Sequence, residues 1–249
     1  MLIAGAVCPH PPLLIPAALG AAASDPPAEV RKVSEAATQA VERLIAARPD
    51  LIAVVGGGPV DREYGPAAAG GLHDYGVDVT VGAGEPVLPL SLTIGRWLLE
   101  CAGVLEPANV AAGAGSEPVA VLFQAVAQRA SPGDCLKLGM VLAERAPRVA
   151  LLAMGDSCAR PAREAPGVPD LPAQEYDEDV AEALAAADAR WLARLDPARD
   201  NELVVAGRAA WQVLAGAAGG HRMDGRLLCM SAPYGVTYLV ASWEESRTD

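Results

Sequence analysis

His10 stands in the run Cys8-Pro9-His10-Pro11-Pro12, directly after the apolar segment 2–7. Proline cannot donate to a strand ladder and pushes its predecessor out of the helical region, so the segment reads as a buried strand that ends near His10. Prolines on both sides stiffen the loop, and loops at the carboxyl ends of strands in open α/β sheets are where ligands bind. An imidazole placed there either faces a ligand or belongs to a rigid turn, where it caps a neighbour or meets water. Two more segments end apolar runs in the same way. Gly56-Gly57-Gly58 closes the run 51–55, and three glycines permit close approach by a ligand, form a phosphate nest, or make a tight turn. Neither the dinucleotide nor the P-loop fingerprint is met there. Gly155-Asp156-Ser157-Cys158-Ala159-Arg160 closes the run 149–154, and Asp156 and Ser157 suit a ligand as well as they suit capping the next helix.

The elements that must position these loops are legible from periodicity. After Asp25-Pro26-Pro27, the residues Val30, Val33, Ala37, Val41, Leu44 and Ile45 recur at helical spacing between charged neighbours, which predicts an amphipathic helix ended by Pro49. Strand, helix, strand is a βαβ unit, and it sets the triple-glycine segment beside the His10 loop if the first two strands are neighbours. Residues 60–89 read as an irregular excursion that contains His73, with short candidate strands at 77–81 and 87–90. Helices are expected over 90–101, 135–145, 177–195 and 202–218, and the segment 119–123 suits either a strand or the start of a helix reaching Arg129. Two apolar segments, 226–230 and 236–243, separated by Ala232-Pro233-Tyr234-Gly235, predict a final antiparallel hairpin, and 244–249 a loose charged tail. The pattern predicts an α/β fold: a three-layer αβα arrangement with a central, mostly parallel, mixed sheet and a C-terminal antiparallel hairpin, in one domain spanning 1–249.

Composition excludes several partners. With 249 residues and 52% hydrophobic content the chain can bury a large core, while a net charge of −12 repels phosphate backbones and anionic bilayers. The aromatic content of 4%, with Phe123 the sole phenylalanine, leaves no base-stacking platform. Nucleic acid and membranes are therefore not expected partners, whereas a small-molecule ligand is. No apolar run reaches the roughly 18 residues of a membrane span, no secretory pattern opens the sequence, and a cytoplasmic location is expected. Five scattered cysteines form no C-x-x-C pair, so neither a disulfide framework nor a structural zinc site is implied.

Four short motifs carry a resemblance: Pro9-His10-Pro11-Pro12-Leu13, Arg48-Pro49-Asp50-Leu51, Met154-Gly155-Asp156-Ser157 and Glu175-Tyr176-Asp177. Taken in this order, the chain resembles the class III extradiol ring-cleavage dioxygenases, specifically the β subunit of protocatechuate dioxygenase and its relatives, among them the Memo proteins. The resemblance implies a ferrous ion held by two histidines and one glutamate, with open positions for catechol and oxygen. His10 matches the first histidine and Glu202 the glutamate. The place of the second histidine is taken by Gly56-Gly57-Gly58, and that of the acid-base histidine by Ala159. Glycine and alanine neither ligate iron nor move protons.

The expectation is accordingly a class III extradiol dioxygenase-like protein with an incomplete iron site, binding a small molecule through His10, Gly57, Gly58, Asp156 and Ser157. His10 and Glu202 are the metal ligands the resemblance implies, no cofactor is expected to be bound, and ferrous iron is required only if the family activity is kept. One alternative is a working ferrous oxygenase acting on a catecholic substrate, with His73 or His221 completing the site. Another is a non-catalytic, Memo-like interaction protein. The resemblance also allows a homo-oligomer.

Overall fold

The computed structural model describes residues 1–105, 119–159 and 171–246. In chain order its strands are β1 (Leu2–Cys8), β2 (Leu51–Gly58), β3 (Arg62–Tyr64), β4 (Ala69–Gly71), β5 (Thr80–Val81), β6 (Pro86–Leu88), β7 (Ala120–Ala127), β8 (Val149–Met154), β9 (Met223–Ser231) and β10 (Tyr238–Glu245). The helices are α1 (Ala28–Ala46), α2 (Leu90–Cys101), α3 (Pro132–Ala143), α4 (Leu171–Ala185), α5 (Ala189–Leu192), α6 (Pro197–Leu203) and α7 (Arg208–Ala218).

Seven strands form one sheet in the order β3-β7-β2-β8-β1-β10-β9. The middle four, β7, β2, β8 and β1, run parallel. Their sequences are almost continuously apolar because both faces are covered. Along β2, Leu51, Ala53 and Val55 join one hydrophobic cluster with α3, α4 and α7, while Ile52 and Val54 join a second with α1 and α2. Helices thus cover both faces, and the C-terminal pair β9-β10 extends the sheet antiparallel beyond β1. The three-layer α/β expectation holds. No helix among the described residues is long and apolar enough to cross a membrane.

Several local expectations are corrected. β1 and β2 are not neighbours: β8 lies between them and pairs with both. A run as apolar as β8 gains most by burial on both faces, and the centre of the sheet is where that is available. The triple glycine is neither a turn nor a nest. Gly56, Gly57 and Gly58 continue β2 and pair with Ala125, Val126 and Ala127 of β7, none of them at positive φ. The segment 119–129 resolves as a strand, β7, not a helix.

The helix expected over 177–195 begins earlier, as α4, and breaks at Ala187, whose φ is 50°. The helix expected over 202–218 divides into α6 and α7, because Val204 takes the left-handed conformation with φ 55°. Both breaks let amphipathic segments turn and keep their apolar sides on the sheet, at the conformational cost of a non-glycine residue at positive φ. Within 77–81 only Thr80 and Val81 pair as a strand. The charged tail is not wholly loose: β10 reaches Glu245, and the Ser246 amide donates to the Arg222 carbonyl at 3.0 Å. Arg160 and residues 247–249 lie outside the described residues.

Candidate functional site

The carboxyl ends of β1, β8 and β2 come level, since Cys8 and Gly56 both pair with Met154. The chain leaving β1 is bound to the chain leaving β8: the Gly155 amide donates to the Cys8 carbonyl at 2.9 Å, and the His10 amide donates to Asp156 Oδ1 at 2.8 Å. The same carboxylate oxygen lies 3.6 Å from His10 Nδ1, beyond hydrogen-bond reach but close enough to attract a protonated ring. His10 Nδ1 is buried and has no hydrogen-bond partner. The two side chains keep 12% and 15% of their surface exposed, so the pair sits at the rim of the strand ends.

Tyr238 joins this pair. The start of β10 is bound to the chain leaving β8, the Thr237 amide donating to the Cys158 carbonyl at 3.0 Å and the Ser157 amide to the Thr237 carbonyl at 2.9 Å, which sets Tyr238 beside the Asp156 loop. Burial first, and the Asp156 charge second, push the Tyr238 phenol up, so it stays a neutral hydroxyl. That hydroxyl makes no hydrogen bond among the described residues. The only foreshadowing of Tyr238 is a tyrosine at the start of a final strand, which means nothing until β10 is placed beside β1.

The remaining predicted residues divide. Gly57 is level with the His10 end, and an added Cβ there meets only ordinary contacts, with Gln128 at 3.5 Å and the Ala206 carbonyl at 3.8 Å. A Cβ at Gly56 falls 2.4 Å from Ser91 Oγ, and one at Gly58 falls 2.8 Å from the Ala125 methyl group, so these two glycines are required by packing. The Ser91 hydroxyl donates to the Gly57 carbonyl at 2.7 Å, tying α2 to the end of β2. Ser157 is wholly buried and its hydroxyl donates to Asp177 of α4, so it does not face the strand-end surface. The Cys158 amide donates to the same Asp177 oxygen at 3.2 Å. Two of the motifs behind the resemblance therefore meet, the Asp156-Ser157 loop against the Glu175-Tyr176-Asp177 turn of α4, and they meet as structure.

The chain contains three histidines and the structure does not bring them together. His73 is half exposed and pairs with Asp78 at 3.1 Å. His221 follows α7, whose amino end begins at Gly207 against Gly155 and whose other end lines a cavity with Met1, Leu2 and Pro147. His221 thus lies at the amino ends of the strands, about 16 Å away along eleven helical residues. Glu202 is exposed on α6. Among the described residues no three His, Cys, Asp or Glu side chains are grouped as metal ligands. The donor set at the strand ends, one imidazole and one carboxylate, does not fit the two-histidine, one-glutamate site of the resembled family. Ala159, the residue the resemblance aligns with the acid-base histidine, donates its amide to the Leu203 carbonyl at 3.2 Å.

No family model matches the chain, and no curated protein matches it. Among solved structures it is similar to the uncharacterized protein JW3007 from Escherichia coli K12, with a TM-score of 0.52 and 14% identity, covering 97% of this chain and 99% of that one. The likeness shows a shared fold.

Behind the rim lies a polar network that periodicity alone does not reveal. Asp200 of α6 accepts from the Tyr176 hydroxyl at 2.6 Å and pairs with Arg208 Nε at 3.1 Å. Arg208 Nη1 donates to the Ala130 carbonyl at 3.0 Å and to Gln212 Oε1 at 2.9 Å, and Nη2 donates to the Gln128 carbonyl. Asp200 and Arg208 are each 3% exposed. Burial pushes the Asp200 carboxyl up to about 6, against the lowering effects of Tyr176 and Arg208. The cysteines at this end supply no nucleophile, because burial pushes the Cys8 and Cys158 thiols up and keeps them protonated.

Proposed function

We propose that this protein binds a small molecule at the carboxyl ends of β1, β8 and β2, and that His10, Asp156 and Tyr238 recognise it. The observation that carries the reading is the under-partnered imidazole: His10 Nδ1 is buried without a hydrogen bond beside the Asp156 carboxylate, whose charge also reaches the unbonded Tyr238 phenol. Buried polar atoms in folded proteins are nearly always satisfied, and an exception at the ligand-binding end of an α/β sheet is the kind of group a ligand completes. By the resemblance, the ligand class is catecholic: a flat dihydroxy ring offers two donors for the imidazole and the carboxylate and an acceptor for the phenol. Iron-dependent ring cleavage is not part of this reading, since the second histidine and the acid-base histidine are replaced by Gly56-Gly57-Gly58 and Ala159. The unpaired cysteines suit a reducing compartment such as the cytoplasm.

Ligand-observed NMR against a panel of catechols and matched monophenols tests the proposal, with the His10 ring signal followed in parallel. Binding of catechols that shifts the His10 signal and is lost in His10→Ala supports it. No binding by any panel member, or binding that leaves the His10 ring unmoved, overturns it. Turnover of a catechol to the yellow ring-opened product with ferrous iron and oxygen, abolished by His10→Ala, restores the oxygenase reading.

A further inference from the structure

The two edges of the seven-stranded sheet differ. At one edge β3 is three residues long, too short to template another strand. At the other, β9 runs nine residues without proline, and its outer backbone groups have no partner strand among the described residues. An open edge of this length is a template for pairing unless something covers it.

We infer that β9 pairs antiparallel with β9 of a second copy of this chain, about a two-fold axis at Gly225. Two separate features select that register. A bulge interrupts β9 where its pairing with β10 shifts between Val240 and Ala241, leaving Met223–Leu227 as the regular stretch. Its midpoint is Gly225. Bulges bend the strand and end regular pairing, so a partner has five residues to add to. The charges centre on the same residue. Asp224 and Arg226 flank Gly225, both exposed, on the face opposite Met223 and Leu227. With the axis at Gly225, Asp224 of each copy stands across from Arg226 of the other, and Met223 stands across from Leu227. An axis at Leu227 would instead place Asp224 across from Met230 and Arg226 across from Leu228.

The second copy also answers an imbalance within the chain. Asp224 lies directly opposite Glu244 on β10, a like-charge cross-strand pair of the kind that weakens a sheet. Glu244 has Arg43 at 3.2 Å, but Asp224 has only the Ser246 hydroxyl at 2.7 Å. Arg226 forms no ion pair within the chain among the described residues. A two-fold copy supplies each Asp224 with the cation it lacks, and the surface is self-complementary as a two-fold interface must be. The result is a continuous sheet of fourteen strands, with the strand-end sites of the two copies at opposite ends of the strands.

Sedimentation across a concentration series, with hydrogen exchange of β9 on the same samples, tests this. The expected result is a species of twice the 25.5 kDa chain mass, with amides of 223–227 protected in the dimer and released on dilution. Asp224→Arg and Arg226→Asp should each weaken association about tenfold or more, because each places two like-charge pairs across the axis. The double variant Asp224→Arg/Arg226→Asp restores the pairs with signs reversed and should return the affinity to within about threefold of the parent. A chain that stays monomeric up to about 100 µM overturns the inference. So does a dimer with unprotected β9 amides, or one whose single variants associate as tightly as the parent.

Discussion

Two groups of polar residues occupy the same end of the sheet and are built in opposite ways. Around Asp200, charge is answered at close range: Oδ1 accepts from Tyr176, Oδ2 accepts no hydrogen bond but has Arg208 Nε at 3.1 Å, and Gln212 and the carbonyls of Gln128 and Ala130 take the remaining Arg208 donors. Around His10, the backbone amide is matched through Asp156 but the imidazole Nδ1 and the Tyr238 hydroxyl are not. The closed network joins α4, α6, α7 and the turn after β7, and so holds the helices on one face of the sheet. The open group joins β1, β8 and β10, and its rigidity comes from strand ladders and prolines without spending the ring nitrogens. Polarity at a strand end is therefore not in itself a functional signal; unfilled hydrogen-bonding capacity held in a rigid frame is.

The contrast is broken most directly at Arg208. Arg208→Met leaves the Asp200 charge buried beside an apolar chain, and removing one partner of a buried pair costs about 3–5 kcal/mol. Urea unfolding measures it, and a loss below about 1 kcal/mol would show that the network is not closed in the way described.

The next effect is in pH. The Asp200 carboxyl is raised in the folded chain to about 6 from an ordinary 3.8, so the native state holds this proton where the unfolded chain has lost it. Stability from this group is therefore fully present below about pH 4 and is lost as pH rises to about 6, by roughly 2–3 kcal/mol. Asp200→Asn lacks that slope, so the difference in stability between parent and variant carries it. A difference that is flat from pH 4 to 7 contradicts the burial of the carboxyl.

Tyr176→Phe deletes one charge-assisted hydrogen bond without changing the packing and should cost about 1.5–2 kcal/mol. Smallest is the effect at the open group. His10→Ala should change stability by less than about 1 kcal/mol, because no side-chain hydrogen bond is lost, while it abolishes the catechol binding proposed above. Stability measured by urea and binding measured by NMR on one preparation separate the two. A large stability loss without a binding defect would make His10 a member of the closed class.

Much of the frame is legible from local pattern. The continuous apolar runs of β1, β2 and β8 mark them as strands covered on both faces, and the 3.6-residue spacing of Val30, Val33, Ala37, Val41 and Leu44 marks α1, whose buried side they form. Helix ends were less legible where a non-glycine residue turns the chain, as at Ala187 and Val204, because nothing in the side chain announces a positive φ. His10 and Asp156 could be singled out as strand-end residues, but Ser157 could not be told from them, although it is buried on Asp177.

What the sequence determines by itself is the set of segments and their chemistry: which runs are apolar enough to demand burial, where prolines end them, and that only three histidines exist for any site. Those properties depend on each residue and its near neighbours. The tertiary structure alone decides the neighbour relations, because strand order is set by long-range burial and ladder formation among all segments at once. It inserts β8 between β1 and β2, carries His221 to the far end of α7, draws Tyr238 to the Asp156 loop through the backbone bonds of Thr237, and turns three glycines from a loop into the end of a strand. Each follows from segments far apart in sequence competing for the same buried sheet positions, which no local pattern encodes.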